Sequence, residues 1–179
     1  MHAAFSHRVA TATDLPALGA LMDRAIDQLQ RDFLTPAQIV ASHAVMGLDS
    51  QLVADGTYFA VEEGDTLVGC GGWSRRATLY GGDHSTKLRN ARLLDPATEP
   101  ARVRAMYTHP DYVRRGIGRS ILRLCETAAA AEGFRRVELA ATLAGEPLYR
   151  SCGYALVEPL ASKVEGVTVP LLRMIKTIV

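Results

Sequence analysis

The apolar positions change period several times along the chain, and each change marks an element. Leu15, Leu18, Leu21, Met22, Ala25 and Ile26 recur at three- and four-residue steps. That spacing predicts an amphipathic helix, with Thr13 or Asp14 supplying the side-chain oxygen that caps it. A short strand over 5–10 precedes it. Thr35 followed by Pro36 predicts a second helix start, because a proline at the first helical position gives up no needed donor; Ile39, Val40 and Val45 are its candidate buried face. Past Gly56 the period drops to two. Residues 57–62 and 66–73 flank the turn-like Glu63-Gly64-Asp65 and predict a β-hairpin.

Residues 75–100 are rich in Gly, Asp, Arg and Pro and have no period, and so long a connection is expected near the substrate. A strand follows over 101–108, with Val103, Ala105 and Tyr107 on one face and Arg104, Met106 and Thr108 on the other. His109-Pro110 ends it. Residues 116–132 carry Ile117, Ile121, Leu124, Cys125 and Ala128 at helical spacing, with Gly133 as the stop. Then come a strand over 137–141, a short helix over 146–151 ending near Gly153, and strands over 154–157 and 168–175. No period of 20–50 residues recurs, so a solenoid or propeller is excluded as a reading. The order predicts a mixed α/β fold in one domain spanning 1–179.

Composition narrows the class without naming a chemistry. The 179 residues are 48% hydrophobic and 22% charged, which is ordinary for a globular domain with a sizeable core. Twenty Lys and Arg against nineteen Asp and Glu leave +1, so there is no global field for nucleic acid or an acidic membrane. An anion site must be local. Cys70, Cys125 and Cys152 are odd in number and lack zinc spacing, so they are expected to pack as small hydrophobes in a reducing compartment. His2, His7, His43, His84 and His109 show no metal-ligand spacing, and no metal is expected. The chain shows no secretory signal and no apolar run long enough for a membrane span, which points to the cytoplasm.

The segment His109-Pro110-Asp111-Tyr112-Val113-Arg114-Arg115-Gly116-Ile117-Gly118-Arg119 lies between a strand and the strongest helix. Glycines at a helix mouth let a ligand approach the backbone, and the first turn offers unpaired N–H groups at the positive end of the helix dipole. Arg114, Arg115 and Arg119 add the charge a pyrophosphate needs. The segment is neither a Walker loop nor GxGxxG. The plainer reading is a glycine-rich helix start with solvated arginines.

This segment resembles the central motif of the GNAT superfamily of acyl-CoA-dependent N-acyltransferases. Arg115-Gly116-Ile117-Gly118 fits the motif, although Val113 stands where an Arg or Gln is usual. Leu148-Tyr149-Arg150-Ser151-Cys152-Gly153-Tyr154 is similar to the family's terminal pattern, at the expected separation. The resemblance covers the whole element order and implies a single domain with a centrally splayed, mixed β-sheet flanked by helices. It implies that acetyl-CoA is the co-substrate. Met106, Tyr107 and Thr108 would pair with its pantetheine arm as with an added strand, and Arg114, Arg115, Gly116, Ile117, Gly118 and Arg119 would take the pyrophosphate. Tyr149 would protonate the departing thiolate, with Ala144 and Glu146 nearby; otherwise it is a half-buried core aromatic. The acceptor implied is a small-molecule or peptide amine, and a homodimer is the favoured assembly.

Direct transfer needs a neutral amine, so something must accept its proton. The strand over 101–108 offers Arg102 and Arg104 and no carboxylate, which leaves Glu62, Asp83, His84 and Glu99 as candidate bases beside a water chain to solvent. Trp73, by its place in the resemblance, either walls the acceptor pocket or packs in the core. Tyr80 and His84, in the glycine-containing start of the long loop, suit an acceptor lid or a plain surface loop. The rival reading is a CoA-binding sensor without turnover, which Val113 and the missing carboxylate keep open.

Overall fold

The structure is a computed structural model that describes residues 4–179; His2 lies outside them. A seven-stranded mixed sheet in the order β1-β2-β3-β4-β5-β7-β6 forms its centre. The strands are β1 (Ser6–Val9), β2 (Tyr58–Glu63), β3 (Thr66–Ser74), β4 (Ala101–Thr108), β5 (Arg136–Ala141), β6 (Ala155–Val164) and β7 (Val167–Thr177). Helices α1 (Leu15–Leu29), α2 (Pro36–Ser42) and α3 (Ser50–Ala54) lie between β1 and β2 in the chain, α4 (Ile117–Ala131) follows β4, and α5 (Glu146–Ser151) follows β5.

The sheet is splayed at its middle. β4 and β5 run parallel and pair only at Ala101↔Val137 and Arg102↔Glu138, while every other neighbouring pair is antiparallel and longer. Beyond Arg102 the two strands diverge, and the β5-facing polar groups of the second half of β4 have no strand partner. Two large cores fill the faces, beside a smaller cluster of Ala41, Val45 and Val169. Trp73, Val103, Ile117, Ile121, Cys125, Val137, Leu139 and Met174 are buried beneath α4. Leu18, Met22, Ile26, Leu52, Tyr58, Ala60, Cys70 and Tyr107 are buried on the α1 side. α4 reaches its face closely because β3 has glycine there: a Cβ on Gly71 would stand 2.7 Å from Ile121 Cγ2 and 2.8 Å from Met106 Cγ.

Several elements depart from the expected pattern for definable reasons. The alternation predicted for β4 breaks at Ala105, whose φ of 49° makes a bulge opposite Gly71. Val103 and Met106 therefore share the α4 core, while Ala105 and Tyr107 join the α1 core. Asp14 does stand at the N-cap of α1, but its carboxylate serves Arg8 at 2.7 Å and the Thr11 N–H at 2.7 Å rather than the helix. Thr35 caps α2 as expected, its hydroxyl accepting from the Gln38 N–H at 3.2 Å. Val40 does not belong to the buried face of α2; it is 73% exposed, and Ala41 and Ser42 are buried instead. α3 and its cap residue Asp49 are absent from the expected element order. β6 is far longer than 154–157, because as an edge strand exposed along most of its length it carries no apolar alternation to reveal it. No helix among the described residues is long and apolar enough to cross a membrane.

Candidate active site

One open cleft of about 1000 Å³ runs through the splay between β4 and β5. Its walls include Met106, Tyr107 and Thr108 on β4, Leu139 and Ala140 on β5, the turn Val113-Arg114 with Gly116, Ile117, Gly118 and Arg119 at the head of α4, and Ala144, Leu148 and Tyr149 around α5. The cleft continues past the bulge to Ile26, Leu29, Gln30, Asp32, Phe33, Met46, Leu79 and Tyr80.

The first half is made largely of main chain. Gly116 caps α4 with φ 86°, a left-handed conformation that glycine takes without penalty, and Arg114 before it stands at φ 64°. The first α4 donor with a helical partner is Ser120, bonded to the Gly116 carbonyl at 3.0 Å. The N–H groups of Ile117, Gly118 and Arg119 have no partner among the described residues. They form a cradle of donors at the positive end of a 15-residue helix. A Cβ on Gly118 would lie 2.7 Å from Leu148 Cδ2, so any side chain there would have to displace the end of Leu148. These groups and the unpaired edge of β4 suit a molecule with a diphosphate at one end and amides along an extended arm.

The arginines of the segment divide. Arg114 and Arg119 line the cleft, and Arg119 also donates to Ser151 Oγ at 3.1 Å. Arg115 does not line it. Its guanidinium pairs with Glu63 at 2.7 Å and lies over the rings of Phe5 and Tyr112, 4.9 Å from each centroid. It anchors the turn to β2 instead.

Tyr149 reaches the cleft from α5, its ring edge-on to Tyr154 at 5.9 Å. Its hydroxyl has no hydrogen-bond partner among the described residues. Burial raises the phenol well above the usual tyrosine range, so at neutral pH it holds its proton and can act only as a donor of it. Glu146 is occupied by Arg150 at 2.6 Å and does not line the cleft.

The other expected site residues fall in different places. Tyr80 lines the cleft. Trp73 does not; it is buried in the α4 core, edge-on to Phe134 at 6.0 Å. His84 is exposed and outside the lining. None of the candidate bases lines the cleft: Glu62 pairs with Arg8 at 2.8 Å, Asp83 accepts from Ser50 Oγ at 3.0 Å, and Glu99 pairs with Arg92 at 2.7 Å. Cys70 and Cys125 are fully buried, and burial pushes the Cys70 thiol up to about 12, which removes its thiolate as a nucleophile. Among the described residues no cluster of three or more His, Cys, Asp or Glu is placed to hold a metal.

The residue that sequence reasoning missed is Asp49. It caps α3 by accepting from the Gln51 N–H at 3.1 Å, and its other oxygen pairs at 2.8 Å with Arg104. Both side chains are almost wholly buried, and burial pulls the Arg104 pKa down while Asp49 acts to hold its charge. Arg104 also donates to the carbonyls of Thr78 at 3.1 Å and Gly81 at 2.6 Å. It thereby fixes Leu79 and Tyr80 against the cleft. Asp before the apolar pair Leu52-Val53 is a helix-start signal that the sequence does carry. Similarly, Arg102 is held with Arg173 on the buried Glu138, closing the base of the splay.

Solved structures share this architecture. A GCN5-related N-acetyltransferase from Rhodopseudomonas palustris superposes with a TM-score of 0.71 at 19% identity, covering 96% of this chain and 94% of that one. The PaiA N-acetyltransferase of Thermoplasma acidophilum, solved in complex with coenzyme A, gives 0.64 at 13% identity over 97% and 99%. The YncA protein of Salmonella typhimurium, solved with its cofactor acetyl-CoA, gives 0.63 at 17% over 98% and 94%. At these identities the likeness is one of fold. No curated protein sequence matches the chain. A sequence model of the acetyltransferase (GNAT) family does match, over residues 20–154, a span that runs from α1 through the splay and the α4 turn to Tyr154. With three quarters of its length inside that match and the splayed sheet in place, the chain belongs to the acetyltransferase (GNAT) family.

Proposed function

We propose that the protein transfers the acetyl group of acetyl-CoA to a primary amine, by direct attack of the amine on the thioester while both substrates are bound. The observation that carries this reading is the continuity of the cleft. One opening joins the donor cradle at Ile117, Gly118 and Arg119, the unpaired edge of β4, the Tyr149 hydroxyl and a separate chamber beyond the bulge.

Each part has a task that its chemistry fits. The N–H groups of α4 and the guanidinium groups of Arg114 and Arg119 would hold the diphosphate. The free polar groups of Met106 to Thr108 would pair with the pantetheine amides, and a β4 N–H would face the developing oxyanion. Tyr149, kept protonated by burial, would give its proton to the departing thiolate. The reaction balances: the ammonium gives one proton to water in the open cleft, the C–N bond forms, the C–S bond breaks with the thiolate taking the Tyr149 proton, and the second proton lost from nitrogen as the tetrahedral intermediate collapses restores the Tyr149 phenol. That none of Glu62, Asp83, His84 and Glu99 lines the cleft is the observation that favours the rival reading, a CoA-binding module without turnover.

Calorimetry with acetyl-CoA, followed by thiol-release assays over a panel of amines, tests the proposal. Binding and turnover are expected. Tyr149→Phe should leave acetyl-CoA affinity intact and lower kcat by about 100-fold, the range of a lost general acid. Binding without turnover on any amine would favour the sensor, and no binding by folded protein would defeat both readings.

A further inference from the structure

The chamber beyond the bulge has a composition that selects its occupant. Its walls are Ile26, Leu29 and Phe33 from the end of α1 and beyond, Met46 from the link after α2, and Leu79 and Tyr80 from the long loop. Charge is scarce there. Arg104 also lines it, but its charge is paired with the buried Asp49, and three of its five N–H donors go to Asp49 and the carbonyls of Thr78 and Gly81. No other Lys or Arg lines this half, so it offers no free cation to a carboxylate or phosphate on the acceptor. Asp32 is the single carboxylate lining the whole cleft, and it has no ion-pair partner among the described residues. One charge cannot serve the several ammonium groups of a polyamine.

Gln30 supplies a second, independent polar contact. It is 5% exposed and lines the cleft, and its amide nitrogen has only the sulfur of Met46 at 3.8 Å. Its carbonyl oxygen receives no hydrogen bond from the described residues. That oxygen keeps some solvent contact, since no buried side-chain polar atom among the described residues lacks a partner, and it is free to accept from a ligand that brings N–H groups.

We infer that the acceptor is a monoamine on a compact apolar body, of the arylalkylamine type, whose ammonium is drawn in by Asp32 and oriented by Gln30 while its ring or alkyl body packs on Ile26, Leu29, Phe33, Met46 and Tyr80. This rests on the transferase reading and adds the substrate class to it. Burial of such a body repays the loss of its hydration, whereas a zwitterionic amino acid would leave its carboxylate unpaired in an apolar chamber.

The test compares thiol release with 2-phenylethylamine, hexylamine, putrescine, spermidine, glycine and glutamate, alongside calorimetry of acetyl-CoA. A kcat/KM for 2-phenylethylamine at least about 10-fold above those for putrescine and glycine is expected, one apolar group's worth of discrimination. Asp32→Asn, at an exposed position, should raise the KM for 2-phenylethylamine about three- to fivefold without changing kcat or acetyl-CoA affinity. Phe33→Ala, also exposed, should raise KM for 2-phenylethylamine more than for putrescine. Preference for spermidine or an amino acid with acetyl-CoA binding intact overturns this inference alone, as does an unchanged KM in both variants. Absence of acetyl-CoA binding in folded protein sinks the transferase reading. Direct calorimetry of 2-phenylethylamine then decides for the chamber: binding weakened by Asp32→Asn sustains it, and no binding overturns it.

Discussion

The two halves of the cleft are built in opposite ways. The half at the head of α4 works through main-chain groups contributed by one run of sequence, from Val113 to Arg119. The half beyond the bulge works through side chains brought together from the end of α1, the α2–α3 link and the loop at Leu79 and Tyr80. Backbone recognition needs glycine at fixed steps and tolerates almost any neighbour. Side-chain recognition needs a scaffold, and here that scaffold is ionic: Asp49 joins α3 to Arg104, and Arg104 joins β4 to the loop. On the proposed function, a turn that would bind a constant group can thus stay local while the part that would select the acceptor is distributed.

The sharpest way to break this contrast is Asp49→Ala. It strands a buried guanidinium and should cost about 3–5 kcal/mol, read as a large fall in the urea midpoint. Replacing the pair together, Asp49→Leu with Arg104→Met, should recover part of that loss, because well-packed apolar residues match a buried ion pair in stability, while the α3 cap and the 3.2 Å contact of Arg89 with Asp49 stay lost. In the double variant the loop carbonyls of Thr78 and Gly81 lose their donor, so amine KM should rise while acetyl-CoA affinity holds. Equal damage to both would show the halves to be one unit.

Gly118→Val probes the other half with a smaller effect. Its side chain must displace Leu148 and fills the cradle, so acetyl-CoA affinity should fall about 10- to 100-fold, or roughly 1.4–2.8 kcal/mol. The urea midpoint should move little, since the obstacle is the far end of a side chain. An affinity left unchanged in calorimetry would remove the α4 turn from the diphosphate site.

The same contrast explains what could be read from sequence. Helical spacing located α1 and α4, and the hairpin of β2 and β3 followed from a period of two around Glu63-Gly64-Asp65. The α4 turn is legible because its open donors and its motif are the same few residues. Trp73 reads from sequence either as a pocket wall or as core, because its place at the end of a strand fits both; in the structure it packs on Phe134. The role of Arg104 is not visible in the sequence because its partner lies 55 positions away. The bulge at Ala105 left no composition signal; what permits it is on the neighbouring strand, at Gly71. Arg115 sits inside the motif yet points to Glu63, since spacing fixes a backbone position and not a side-chain direction.

A last and smaller effect separates the halves by pH. Asp55, at the end of α3, accepts from Arg76 at 2.7 and 2.9 Å and from Gln51 at 2.9 Å, and the Arg76 guanidinium foremost holds its carboxyl below the usual range. A carboxyl depressed in the folded state contributes stability that is fully present above its unfolded value, near ~3.9, and is lost as pH falls through the folded value. Asp55→Asn should therefore lower the urea midpoint at pH 7 and lose its effect progressively below about pH 4, where the wild-type carboxyl also becomes neutral. Gly118→Val introduces no titrating group, so whatever offset it causes should stay constant over the same range. An Asp55→Asn offset that is equally flat would mean that the acceptor scaffold is held at α3 by packing rather than by charge, and the division between an ionic half and a main-chain half would then rest on Asp49 and Arg104 alone.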